Sequence, residues 1–248
     1  MSGHLRSLLR FPRLVLGMAL ILGPESFAQN NSDLVNLPFT GHYRKDAKTS
    51  FVKGSTAELS YEHFASIAEF LKTVPSDASM RADFPNITSK DFPRTKDESR
   101  NVEVDAFIYG AKLEGDNDLH VVIANSTNSS DTVFLNTELS GLPEDEGEDF
   151  DTLIAARTKF VTLFPTQNFQ SGSYAKLGLK HVRIRGSLIF DADHYPGCAT
   201  CPGPKDAKPK TVWEIHPITG IDLLSGSSTP GSHTQPHRPR HPRHKTTG

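Results

Sequence analysis

From residue 101 onward, apolar and polar positions fall into regular alternation. Val102, Val104, Ala106 and Ile108 interleave with Glu103, Asp105, Phe107 and Tyr109, the period of a half-buried strand. A loop over 110–117 leads to a second strand with Leu119, Val121 and Ile123 on one face. His120 falls on the opposite face, alongside Asp118. A polar turn over 125–131 precedes a third strand over 132–137. The spacing then becomes helical over 149–157, with Phe160 one turn later and acids at the start, where the helix dipole favours them. A fourth strand over 181–191 sets Val182, Ile184, Gly186, Leu188 and Phe190 toward the core. After a long insertion, 212–221 makes a fifth. This order predicts a mainly β fold with flanking helices: a five-stranded OB-like Greek-key barrel, with a helix between strands three and four. Gly186 in mid-strand suits the tight bend such a barrel needs.

Residues 29–100 are less regular and read as an N-terminal helical, wrapping extension. Ser55 and Thr56 cap a predicted helix with Leu59, Phe64, Ile67, Phe70 and Leu71 at helical spacing, ended by Val74-Pro75. The stretch 76–100 has no core of its own; Phe84 and Phe92 are expected to pin it to the domain over 101–224. The tail, 225–248, is rich in Ser, Gly, Pro and His and lacks the apolar surface to offset ordering entropy, so it reads as disordered.

The first 28 residues read as an export signal. Arg6, Arg10 and Arg13 precede an apolar run over 14–22, and Ser26-Phe27-Ala28 offers small residues at a cleavage site. The run is far shorter than the roughly 20 residues needed to cross a bilayer, so no membrane span is expected after cleavage at Ala28. The predicted compartment is periplasmic or extracellular. Cleavage leaves 24 basic against 28 acidic residues, and the tail carries four of the basic ones and no acid. An acidic body with a basic tail disfavours nonspecific nucleic-acid binding by the core.

Three segments carry a resemblance: Asp118-Leu119-His120, Phe190-Asp191-Ala192-Asp193-His194, and Glu214-Ile215-His216-Pro217. The chain resembles a group of uncharacterised exported bacterial proteins with a D-x-H strand, an FD-x-x-H strand end and a final E-[IL]-H-P strand. The resemblance spans roughly 100–222. It implies the fold and export, and it supplies no catalytic residues.

In an OB-like barrel the loops between strands one and two and between four and five lie near one ligand-binding face. That would bring Glu114, Asp116 and Asp118 toward Asp191, Asp193 and His194, with His120 close by. Glu214 and His216, two apart, share a face of the last strand. Two readings stay open for these groups. They form either a divalent-metal site of oxygen and nitrogen ligands, or a hydrogen-bonded network that closes the barrel. The Cys198-Ala199-Thr200-Cys201 pair, flanked by prolines, reads first as a loop-stiffening disulfide. The acidic run over 144–151 lacks EF-hand spacing and reads as a solvated helix start, while Arg183 and Arg185 are expected to pair with nearby acids. No phosphate-cradling loop, G-x-S-x-G or H-E-x-x-H appears. The functional expectation is an exported, non-enzymatic OB-like module with an unknown ligand or envelope partner. The alternative is a metal-dependent, nuclease-like hydrolase using the Asp, Glu and His groups.

Overall fold

The structure is a computed structural model that describes residues 31–54, 59–127, 132–194 and 203–224. The export signal, the Cys198–Cys201 pair and the tail from 225 lie outside the described residues. Six strands and a few helices make up the rest: β1 (Glu62–Phe64), β2 (Asn101–Leu113), β3 (Leu119–Ala124), β4 (Phe134–Leu139), β5 (Ala175–Phe190) and β6 (Trp213–Leu223). The helices are α1 (Asn31–Val35), α2 (Lys45–Thr49), α3 (Ile67–Phe70), α4 (Asp77–Asp83) and α5 (Glu148–Leu163).

The strands lie in the order β1-β2-β3-β4-β6-β5, and β5 also pairs with β2, so the last five close into a ring. All pairings are antiparallel except β1 with β2 and β4 with β6. Closure depends on two long strands. β2 pairs with β5 along its length, from Asn101↔Ser187 to Ala111↔Ala175. β5 then turns its other edge to β6, from Val182↔Leu223 to Phe190↔Trp213. The register of β5 with β6 shifts on both sides of Gly186. A Cβ there would stand 2.2 Å from the Pro217 carbonyl oxygen and 2.6 Å from Ile215 Cγ2, so the bend admits no side chain. A second irregularity, between Ile108 and Gly110, lets β2 serve two neighbours.

Inside the ring sit the alternating apolar residues of each strand, among them Val104, Ile108, Val121, Leu135, Ile184, Leu188 and Ile215, all fully buried. Helix α5 adds Leu153, Ala156 and Phe160, and Phe160 packs on Phe164 and Phe169 at 5.1 and 5.3 Å between ring centroids. Among the described residues no helix is long and apolar enough to cross a membrane.

The extension differs from its sequence reading. The expected Ser55/Thr56 cap lies outside the described residues; among the described residues of the predicted helix, Glu62–Phe64 is a strand parallel to Val102–Val104 and only Ile67–Phe70 is helical. The unpaired edge of β2 offers this segment a ladder of hydrogen bonds that a short helix cannot match. Ser66 then caps α3, its hydroxyl accepting the Glu69 N–H at 3.2 Å. Further along, Met80 and Ile87 enter the core, and Phe84 and Phe92 meet edge to face beside it. Asp77 accepts the Thr211 hydroxyl at 2.7 Å, and Trp213 Nε1 donates to the Pro75 carbonyl at 2.8 Å, which ties the extension to β6.

Three buried guanidinium groups hold backbone in place. Arg157 of α5 donates to the carbonyls of Leu34, Asn117, Leu139 and Ser140. Arg94 donates to those of Ala47, Ser50, Leu188 and His216. Arg44, in the left-handed region at φ 51°, makes a two-pronged contact with Glu98 at 2.7 and 2.8 Å. Outside the ring, Arg183 pairs with Asp105 at 2.7 Å and Arg185 with Asp222.

Candidate functional site

β3, β4 and β6 are buried on both faces. One face supplies Leu119, Val121, Ile123, Leu135 and Ile215 to the core, so by alternation the other carries His120 and Val122, Asn136 and Glu138, and Glu214 and His216. Strand register sets these side chains in rows. Lys112 pairs with His120 and His120 with Glu138; Val122 pairs with Asn136 and Asn136 with Glu214. The covering layer is the segment over 38–48. Phe39 N–H donates to the Leu142 carbonyl at 2.8 Å, and its backbone rests so close to Gly141 that a Cβ there would meet Phe39 Cα at 2.7 Å.

Beneath this cover the polar groups converge. Glu138 lies between two imidazoles, its Oε1 2.9 Å from His120 Nδ1 and its Oε2 2.9 Å from His216 Nδ1. His216 Nε2 is 3.4 Å from Asp118 Oδ2, and His216 Nδ1 is 3.9 Å from Glu214 Oε2. Asp118 is aimed by the Gly141 N–H, which donates to Oδ1 at 2.6 Å, and Glu214 by Asn136 Nδ2 at 3.4 Å. Tyr174 stands edge-on to His120 at 5.8 Å. Donor atoms of Asp118, Glu138 and His216 lie within 4.8 Å of one another, as do those of His120, Glu138 and Glu214. These buried groups are close enough to hold a metal ion.

Burial and mutual charge govern protonation. Burial alone would lower the His216 imidazole, but Glu138, Glu214 and Asp118 outweigh it and push it up to about 9. His120 rises for the same reason, held by Glu114 and Glu138. Burial would raise Glu138, yet the two imidazoles hold it well below the usual carboxylate range. Burial lifts Asp118 and Glu214 upward, and Glu138 adds to both. Even so, Asp118 Oδ2, His120 Nε2, Glu214 Oε2 and both ring nitrogens of His216 make no well-aligned hydrogen bond among the described residues; the His216 nitrogens face Glu138 and Asp118 as ion-pair partners only. A buried polar atom with no aligned donor or acceptor costs up to about 1–3 kcal/mol, which leaves the cluster room for a better partner.

A cavity of about 400 Å³ opens above this floor, and Glu138 lines it. One wall is the segment that supplies Phe39, His42, Tyr43 and Lys48. The loop after β2 adds Lys112, Glu114 and Asp116, and the residues after β5 add Asp191, Asp193 and His194. Lys48, nearly buried, lies 3.6 Å from Asp191; burial would lower its ammonium, but Asp191 and then Glu138 outweigh that and raise it. Glu114 meets Lys112 at 2.8 Å and His120 at 3.4 Å. The chain matches no family model, no curated protein and no solved structure.

All eight candidate residues from the sequence therefore gather on one side of the ring, in two tiers. Asp116, Asp191, Asp193 and His194 line the cavity; Asp118, His120, Glu214 and His216 lie in the floor. Sequence reasoning missed Glu138, which joins the tiers, and Lys48. The signal for Glu138 was the alternation of Asn136 and Glu138 with Leu135, Thr137 and Leu139, which extends the third strand two residues past its predicted end. Lys48 sits in the polar run Lys45-Asp46-Ala47-Lys48-Thr49, and nothing in that run marks it as buried.

Proposed function

We propose that this chain is an exported binding module with OB-like architecture, whose ligand occupies the 400 Å³ cavity above Glu138. The ring order β2-β3-β4-β6-β5, with α5 between β4 and β5, supports this reading, since an OB-fold is a five-stranded Greek-key barrel. In that fold the second and third strands, with the loops after strands one and four, form the ligand face. The observation that carries the reading is the convergence here of those two loops and the 38–48 segment around one cavity. Its walls carry Glu114, Asp116, Asp191 and Asp193 against Lys48 and Lys112, so the ligand is a small polar molecule bearing positive charge or carried by a divalent cation. Thermal shift with divalent cations, polyamines and neutral sugars tests this, since a ligand specific to the native state raises Tm with concentration. Gly115 lines the cavity, and a Cβ there meets nothing within 4 Å. Gly115→Phe is expected to abolish the shift while leaving the unliganded Tm near wild type. A shift that survives Gly115→Phe refutes the cavity as the ligand site.

A second reading, metal-dependent hydrolysis, is favoured by the two donor groups that share Glu138 on the cavity floor. A cation there would activate water toward a bound ester or phosphodiester, with a carboxylate as base. Mn²⁺-dependent cleavage of a chromogenic phosphodiester, lost in Glu138→Gln, is its test.

A further inference from the structure

We infer that the floor of the cavity is a two-cation centre in which Glu138 is the bridging carboxylate. The inference deepens the reading of this cavity as the ligand site and concerns what lies beneath the ligand. The two oxygens of Glu138 turn to different partners, Oε1 to His120 and Oε2 to His216. Each side then holds the same set, one imidazole and one further carboxylate: His120 with Glu214, and His216 with Asp118. One ion in either group would leave poorly bonded atoms in the other, and such atoms are found on both sides: His120 Nε2 and Glu214 Oε2 on one, Asp118 Oδ2 and a His216 nitrogen on the other. All four residues that bear them are 0–1% exposed, so water is a poor substitute.

Charge permits two ions: once both imidazoles bind as neutral ligands, the three buried carboxylates offset most of the charge of two divalent cations. The neighbouring cations are already engaged, Lys48 with Asp191 and Lys112 with Glu114. Oxygen-rich sets with one imidazole suit Mn²⁺ or Zn²⁺. Supporting contacts fix the ligands' orientation, the Gly141 N–H on Asp118 and Asn136 on Glu214, as metal ligands require. Carboxylate-bridged ions stand about 3.5–4 Å apart, a spacing suited to gripping one anionic group between them.

The test is titration of the full chain with Mn²⁺ alone, read by calorimetry for stoichiometry and by electron paramagnetic resonance for coupling. The expected result is two Mn²⁺ per chain with an exchange-coupled spectrum. Asp118→Asn and Glu214→Gln should each retain one uncoupled ion, and Glu138→Gln should weaken binding at least 100-fold. Trp213 fluorescence verifies that each variant is folded; if Glu138→Gln is not, the wild-type spectrum and the two single-side variants decide. One ion per chain, two uncoupled ions, or no binding overturns the inference. Cavity-ligand binding that persists without Mn²⁺ uptake sinks the two-cation centre alone, whereas two coupled ions with no cavity ligand sink the ligand reading alone.

Discussion

Gly186→Ala is expected to be among the most damaging single-methyl changes in this ring. The added Cβ would stand 2.2 Å from the Pro217 carbonyl oxygen, 2.6 Å from Ile215 Cγ2 and 3.1 Å from Ile218 Cα. Two of these neighbours are backbone, so relief needs β5 and β6 to part by about 1 Å, which overpacking penalises by roughly 1–3 kcal/mol. Such a gap also breaks flanking ladder hydrogen bonds, at about 1 kcal/mol each for two of them. The lower chain entropy of alanine returns about 0.4–1 kcal/mol. The net loss is about 3 kcal/mol, a Tm decrease of roughly 6–12 °C for a chain of this size. Gly220→Ala is the control, since its nearest neighbour would be Arg185 Nε at an ordinary 3.5 Å. Urea unfolding followed through Trp213, the single tryptophan and fully buried, measures both. If Gly186→Ala falls within about 0.5 kcal/mol of Gly220→Ala, the close approach of β6 is wrong, and so is the account of how the ring bends.

Other expectations follow from the buried charges and the covering segment. Glu98→Gln leaves Arg44 buried without its partner and should cost about 3–5 kcal/mol in urea unfolding. Burial would raise the Glu98 carboxyl, but Arg44 holds it below its ordinary value, so its contribution is complete above about pH 4.5 and lost as pH falls through the lower folded value. Wild type should therefore show an acid limb below pH 4.5 that Glu98→Gln flattens; an unchanged limb would contradict that assignment. Arg157→Met strands the carbonyls of Leu34, Asn117, Leu139 and Ser140 and should cost about 2–4 kcal/mol, with faster amide exchange in α1. Gly141→Ala pushes against Phe39 and shifts the N–H that holds Asp118, so limited proteolysis should cut within 38–48 faster than in wild type.

Much of the ring was legible because its inner face is apolar and its strands are long. Val102 to Ile108 and Val182 to Phe190 alternate cleanly, and each gave a strand near the observed position. The edges blurred where pairing partners are remote. β1 was hidden because Phe64, Ile67 and Phe70 also fit a helix, and the β2 edge that wins lies some 40 residues on. The site was half legible. Asp118, His120, Glu214 and His216 drew notice as ionisable groups in strand context, and topology carried them together. Glu138 and Lys48 did not, because alternation cannot report burial on a second face that is covered by a distant segment. Arg157 escaped for a related reason: on a helix of weak amphipathicity its surroundings read as solvent, whereas it is fully buried against four carbonyls.

The wall formed by residues 38–48 has a practical consequence for anyone who trims this protein. Lys48, Tyr43 and Phe39 come from a stretch that ends more than fifty positions before the first long strand, yet they close the chamber and shield its acidic base from solvent. A shortened version starting at residue 101 reads from its pattern as self-sufficient, but it would bare Glu138, Glu214 and His216 to water and forfeit the enclosure. Assays on such a fragment would report on a different molecule.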